Sequence, residues 1–79
     1  MLSIHFIGRS YTPEFEKSCF VGSGSDGTGP YDTYDAAKAA CDSSLLCIMF
    51  YKDLAEKYYT CNPESSPDNW DGFTLFILG

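Results

Sequence analysis

The sequence predicts an α+β domain in which one helix packs on a mainly antiparallel sheet of about five strands, stapled by disulfides. Three observations predict it. One strong helix signal, over residues 33–41, sits among several short segments of strand character. Four cysteines occur in 79 residues, an even number available for two bridges. The hydrophobic fraction is 44%, with six Tyr and six Phe, which is too apolar and aromatic for a disordered chain. One helix among several short strands packs most economically on one face of their sheet. The length fits one domain, residues 1–79. So short a chain builds a thin core, and covalent staples are the usual remedy.

The elements follow in order. Leu2, Ile4 and Phe6 alternate with Ser3, His5 and Ile7, the period of a strand that ends near Gly8 or runs on to Tyr11. Thr12-Pro13 breaks it, since Pro13 has no N–H to give to a ladder. Glu14 to Lys17 reads as a polar connection, and Ser18-Cys19-Phe20-Val21 as a short second strand. Residues 22–30 carry four glycines with Ser, Thr and Asp, show no hydrophobic periodicity, and read as a loop. Thr33 then caps a helix, with Asp35 suited to the positive end of its dipole and Ala36 to Cys41 supplying good helix formers. Tyr34, Ala37, Ala40 and Cys41 recur at three- and four-residue spacing and define its inward face.

Leu45 to Tyr51 is a compact apolar run, the pattern of a buried central strand. A charged connection over residues 52–57 leads to Tyr58-Tyr59-Thr60-Cys61, a partner strand in a hairpin. Residues 62–72 are polar, with two prolines, and read as a connection. Phe73 to Leu78 closes the sheet.

Four cysteines allow three pairings. A helix that reverses into a strand over five residues brings Cys41 near Cys47, which leaves Cys19 for Cys61. Disulfides point to an oxidising compartment and a secreted or extracellular domain. Residues 1–7 lack a basic start and have too short an apolar run for a signal peptide, so a mature or excised domain with an added Met1 is expected. A four-thiolate zinc site wants closer cysteine pairs than these, so no metal is expected.

The net charge is −6, from five Lys+Arg against eleven Asp+Glu. Without clustered cations, nucleic acid and anionic membranes are poor partners, and no stretch is long and apolar enough to insert. Acidity suits solubility, or a cationic partner. Asp26, Asp32 and Asp35 do not match the EF-hand spacing. The glycine-rich segment lacks the Lys of a phosphate loop.

No catalytic residues are assigned. His5 is the single histidine and reads as a surface or packing residue, while Glu14 with Glu16, and Asp68 with Asp71, read as solvated acids. The strongest candidate binding surface is Pro67-Asp68-Asn69-Trp70-Asp71-Gly72. Sugar recognition commonly combines an aromatic face with carboxylates or amides, and Trp70 flanked by Asp68, Asn69 and Asp71 offers both. Tyr31 joins this candidate set because tyrosine is enriched at interfaces.

The run from Thr33 to Tyr51, with its Ala-rich helix ending in Cys41, five residues, Cys47 and a hydrophobic strand, resembles the heart of PAN/apple domains. Cys61 in Tyr59-Thr60-Cys61 matches a further cysteine on the following strand, and residues 73–78 sit where that family closes its sheet. The resemblance implies a five-stranded antiparallel sheet cradling one helix, and a Cys41–Cys47 bridge. Apple domains often carry another helix cysteine one turn earlier, where this chain has Ala37. Its usual partner corresponds to Cys61, which the resemblance therefore leaves to Cys19. The terminal bridge of apple domains is absent. The resemblance further implies a non-catalytic recognition or adhesion module, without cofactor, that binds carbohydrate or protein ligands. Protein–protein interaction or self-assembly, through a strand edge or the tyrosines, is the alternative.

Overall fold

The computed structural model describes residues 9–20 and 27–79. The strand expected over residues 2–8, with His5, lies outside them, as do residues 21–26 and Asp26. Five elements follow in order: β1 (Tyr11–Phe20), α1 (Tyr34–Asp42), β2 (Met49–Lys52), β3 (Tyr58–Thr60) and β4 (Ser66–Leu78). The architecture is α+β, with an antiparallel sheet in the order β1-β4-β2-β3. Among the described residues the sheet has four strands, not five. Residues 27–31, at the end of the segment read as a loop, run along the outer side of β3: Gly27 N–H donates to the Thr60 carbonyl, and Tyr31 and Tyr58 exchange both backbone bonds. Glycine is required in this approach. A Cβ on Gly27 would lie 2.5 Å from the Thr60 hydroxyl, and Gly29 sits at φ +134° against the Tyr58 carbonyl.

The helix follows its sequence signals. The Thr33 hydroxyl accepts from Ala36 N–H at 3.1 Å, satisfying one of the four orphan donors of the first turn. Ala37 and Cys41 are fully buried against Phe50, and Tyr34 packs on Phe50 and Phe76 with centroid distances of 5.3 and 5.1 Å. At the other end, Asp42 gathers three donors: Tyr11 Oη at 2.6 Å, Lys38 Nζ at 3.0 Å and Arg9 Nε at 3.2 Å. Arg9 also donates to the Cys41 carbonyl at 2.5 Å, capping the negative end of the helix with a cation. Burial pushes the Tyr11 phenol up to about 12, reinforced by its hydrogen bond to Asp42. Burial opposes ionisation of Asp42, but the hydrogen bonds from Tyr11, Lys38 and Arg9 prevail and hold its carboxyl below the ordinary value of 3.8.

β2 occupies the centre, as its composition predicts, but it begins at Met49. Leu45 and Leu46 instead occupy the turn between α1 and β2 and are exposed. Closing the Cys41–Cys47 bridge across six positions requires the chain to reverse there, and Cys47 N–H bonds the Ser44 carbonyl at 3.2 Å within that turn. The alternating side chains of β2 then divide the core into two layers. Phe50 faces α1 with Phe76, Tyr11 and Tyr58. Met49 and Tyr51 face the other way, with Leu75, Cys19 and Cys61.

The largest departure is the length of β1 and β4. β1 runs straight through Pro13 and the polar residues expected to connect two strands, and it absorbs Ser18 to Phe20. The reason is its position. Gly79 N–H bonds the Ser10 carbonyl at 3.0 Å, in continuation of the Tyr11–Leu78 register. By antiparallel alternation Pro13 falls at a non-hydrogen-bonded position, so its nitrogen points away from β4 and no ladder bond is lost. β4 likewise begins at Ser66, within the segment read as a connection, and its first residues pair only with β1. There Cys19 lies opposite Pro67 and reaches Cys61 through the second disulfide, with a Cα separation of 6.0 Å.

Both pairings match those read from the sequence, Cys41–Cys47 and Cys19–Cys61. The Cys19–Cys61 loop spans 42 positions and should be worth about 4 kcal/mol by chain entropy, against about 2 kcal/mol for the six-position loop. Replacing Cys19 and Cys61 together by Ser is therefore expected to lower the urea midpoint more than replacing Cys41 and Cys47. Asp42 supplies a second expectation. Its depressed pKa means that its stabilisation is present above the unfolded carboxylate value and lost as pH falls through the folded one. Melting temperatures measured down an acid series should therefore fall less steeply for Asp42→Asn than for the wild type.

Candidate functional site

The candidate surface is built by an irregularity between β1 and β4. From Tyr11 to Phe15 the strands pair in one register, and from Lys17 to Phe20 in another. Between them Glu16 alone on β1 faces four residues on β4: Trp70, Asp71, Gly72 and Phe73. This is a bulge. Two left-handed residues make it, Glu16 at φ +62° and Gly72 at φ +84°. The Glu16 carboxylate accepts the Gly72 N–H at 2.9 Å, tying the two sides together. The bulge also exchanges faces. Tyr11 and Cys19 are both odd-numbered and would share a face of an unbroken strand, yet Tyr11 packs in the helix layer and Cys19 in the opposite one.

Trp70 stands at the end of a row of rings across β3, β2 and β4. Tyr59 stacks on Tyr51 at 5.2 Å, Tyr51 meets Phe73 at 5.8 Å, and Phe73 meets Trp70 at 5.8 Å. From Tyr51 toward β4 exposure rises, from 7% at Tyr51 to 42% at Trp70. One part of the indole is thus anchored on the core while the rest is open to solvent. Leu54, in the β2–β3 turn, reaches over Gly72 and is 71% exposed, which adds an aliphatic side chain to the surface. The turn is held by Asp53, whose carboxylate accepts from the N–H groups of Ala55 and Lys57.

The sequence-predicted residues divide. Asp68 and Asn69 lie on β4 opposite Ser18 and Lys17, and Trp70 and Asp71 enter the bulge. Strand alternation puts Asn69 and Lys17 on the face of the Cys19–Pro67 pair, where the Asn69 carbonyl oxygen takes Lys17 Nζ at 3.1 Å, and Asp68 with Ser18 on the opposite face. Tyr31 is not brought to this surface. It belongs to the helix layer, bridges Tyr58, and donates its hydroxyl to Thr28 at 2.7 Å. Sequence reasoning missed Glu16, Leu54 and Phe73 as members of the site. Phe73 carried a signal, being an aromatic three residues from Trp70, but the polar segment before it read as a connection. Glu16 and Leu54 carried none, because only the bulge and the hairpin bring them there.

A second concavity of about 170 Å³ lies between the end of α1 and the start of the 27–31 segment, edged by Thr28, Thr60, Cys47 and Cys61. Its Thr28 and Thr60 hydroxyls bond one another at 2.8 Å. Among the described residues no group of three or more His, Cys, Asp or Glu is placed to hold a metal ion, and no helix is long and apolar enough to cross a membrane. Comparison with protein families, characterised proteins and solved structures finds no match to this chain.

If the left-handed turn at Gly72 sets the bulge, Gly72→Ala should cost about 1–2 kcal/mol, the penalty of that conformation for a residue with a Cβ. Urea unfolding followed by Trp70 fluorescence measures it. A variant as stable as the wild type would show that the bulge does not depend on the glycine.

Proposed function

We propose that this chain is a non-catalytic extracellular recognition or adhesion module that meets a carbohydrate or protein ligand at the Trp70 bulge. One observation carries the reading: a large aromatic side chain, 42% exposed, is braced by Phe73 at 5.8 Å on a bonded strand pair. A rigid, half-exposed aromatic loses little entropy when it is covered, which is why such residues dominate binding surfaces. Both disulfides have their cysteines buried, which supports an oxidising compartment such as the cell exterior. The resemblance of residues 33–61 to PAN/apple domains supports the same role.

Self-assembly through a strand edge has less support. On β3 the outer side is taken by residues 27–31, and on β1 the outward position at Pro13 has no donor.

An array of glycans, run beside a panel of extracellular proteins, tests the proposal. Trp70→Ala should weaken any captured ligand by about thirtyfold, the loss typical of a buried interface tryptophan. Unaltered circular dichroism would show that the fold survives the change. Ligands held equally well by the folded variant would move the site elsewhere on the molecule.

A further inference from the structure

The concavity at the end of α1 is walled by residues of both disulfides, Cys47 from one and Cys61 from the other. The two cysteines are held differently. Cys61 is fixed by the sheet, its N–H on the Met49 carbonyl at 2.9 Å. Cys47 belongs to the turn between α1 and β2, and its N–H bonds the Ser44 carbonyl inside that same turn. Ser44, Leu45, Leu46 and Ile48 around it are all exposed. Cys47 itself is 5% exposed, whereas its partner Cys41 is fully buried on the helix. A group entering the concavity therefore meets Cys47 before Cys41.

The surroundings of Cys41 suit a departing sulfur. Arg9 Nη2 lies 3.9 Å from Cys41 Sγ, and it also reaches the carbonyls of Cys41 at 2.5 Å and Ser44 at 3.4 Å. With Lys38, Arg9 sets two cations against the single carboxylate of Asp42 at this end of the helix. A thiolate formed on Cys41 is thus met by positive charge. The reduced pair also has an acceptor in place. The Met49 carbonyl oxygen lies 3.4 Å from Cys47 Sγ and 3.9 Å from Cys41 Sγ, so a buried S–H keeps a partner after the bridge opens.

We propose that Cys41–Cys47 is a thiol-exchange site, opened by a low-molecular-weight thiol that enters through the concavity, while Cys19–Cys61 stays closed. The thiolate of the donor bonds to Cys47 Sγ, and the bond between Cys47 and Cys41 breaks with its electron pair passing to Cys41 Sγ, beside Arg9. A second donor thiolate then attacks the donor sulfur of the mixed disulfide and releases Cys47 as a thiolate. The two protons of the donor thiols end on Cys41 and Cys47, and the oxidised donor leaves as its own disulfide. The six-position loop is the smaller of the two entropic constraints, so the fold survives its opening. What changes is the turn that carries Leu45 and Leu46. The site stands apart from the Trp70 bulge and does not depend on it.

The test incubates the native protein with glutathione over a series of reduced-to-oxidised ratios, blocks free thiols with an alkylating agent, and maps the blocked positions by peptide mass spectrometry. Cys41 and Cys47 should be blocked while Cys19 and Cys61 remain bridged, with circular dichroism unchanged. Arg9→Gln should slow the opening by about threefold, through a poorer leaving sulfur, and Arg9→Lys should restore most of the rate. A purely structural loss at Arg9 would loosen the helix end and speed the opening instead. In Cys41→Ser the lone Cys47 thiol should take up oxidised glutathione about tenfold faster than the lone Cys41 thiol does in Cys47→Ser.

Opening of Cys19–Cys61 first, or of both bridges together, would overturn the proposal. So would opening that occurs only as the circular dichroism signal is lost, or no opening at any ratio. An unchanged or faster rate in Arg9→Gln, or a Cys41 thiol as reactive as Cys47, would overturn it as well.

Discussion

The bridge from Cys19 to Cys61 is the constraint on which the rest of this molecule depends. It joins the far half of the first strand to the residue that follows the third, on the layer away from the helix. Without it the paired ends of β1 and β4 would project beyond the central strand, because β2 meets β4 only from Thr74 to Ile77. With it, they are drawn against Met49 and Tyr51, and the second layer of core is closed. A chain of 79 residues cannot easily bury both faces of a sheet by burial alone. Here the helix covers one face and a crosslinked strand pair covers part of the other.

The second bridge acts on the same strand from the opposite side. Cys41 and Cys47 lie in the helix layer beside Phe50, while Cys61 donates its N–H to the Met49 carbonyl at 2.9 Å. The start of β2 is thus clasped between two sulfur pairs, one on each face. The cost falls on the turn before it, where Leu45 and Leu46 face solvent although Cys47, next in sequence, is buried. At the end of the helix, Asp42 links that turn to β1 through Arg9 and Tyr11, so the outer strand and the helix are locked by charge where the sulfur crosslinks do not reach.

The parts of this fold that were legible in the sequence are those set by local chemistry. Thr33 caps the helix it was expected to cap, the three- and four-residue spacing found its buried face, and the apolar run ending at Tyr51 became the central strand with its hairpin partner. Chain reversal after the helix was enough to suggest both cysteine pairings. What stayed hidden depends on position within the sheet. Pro13 reads as a strand breaker until β1 is known to be an outermost strand. Residues 66–72 read as a connection because they are polar and contain Pro67, yet a strand paired on one side alone tolerates both. Of the expected binding residues, Trp70 and Asp71 enter the bulge, Asp68 and Asn69 point to opposite faces of the paired strand before it, and Tyr31 belongs to another layer. The gathering of Glu16 with Trp70 to Phe73 follows from a one-against-four mismatch that no spacing rule on a single strand reveals.

The proline of the outermost strand has a consequence for the molecule in crowded surroundings. A thirteen-residue strand such as β4, bordered by a strand with a complete outward row of donors, would invite neighbouring molecules to extend the sheet without limit. One missing amide hydrogen at the centre of that row interrupts the template while leaving every internal bond in place. Sheet extension along that edge is thus discouraged at a single atom.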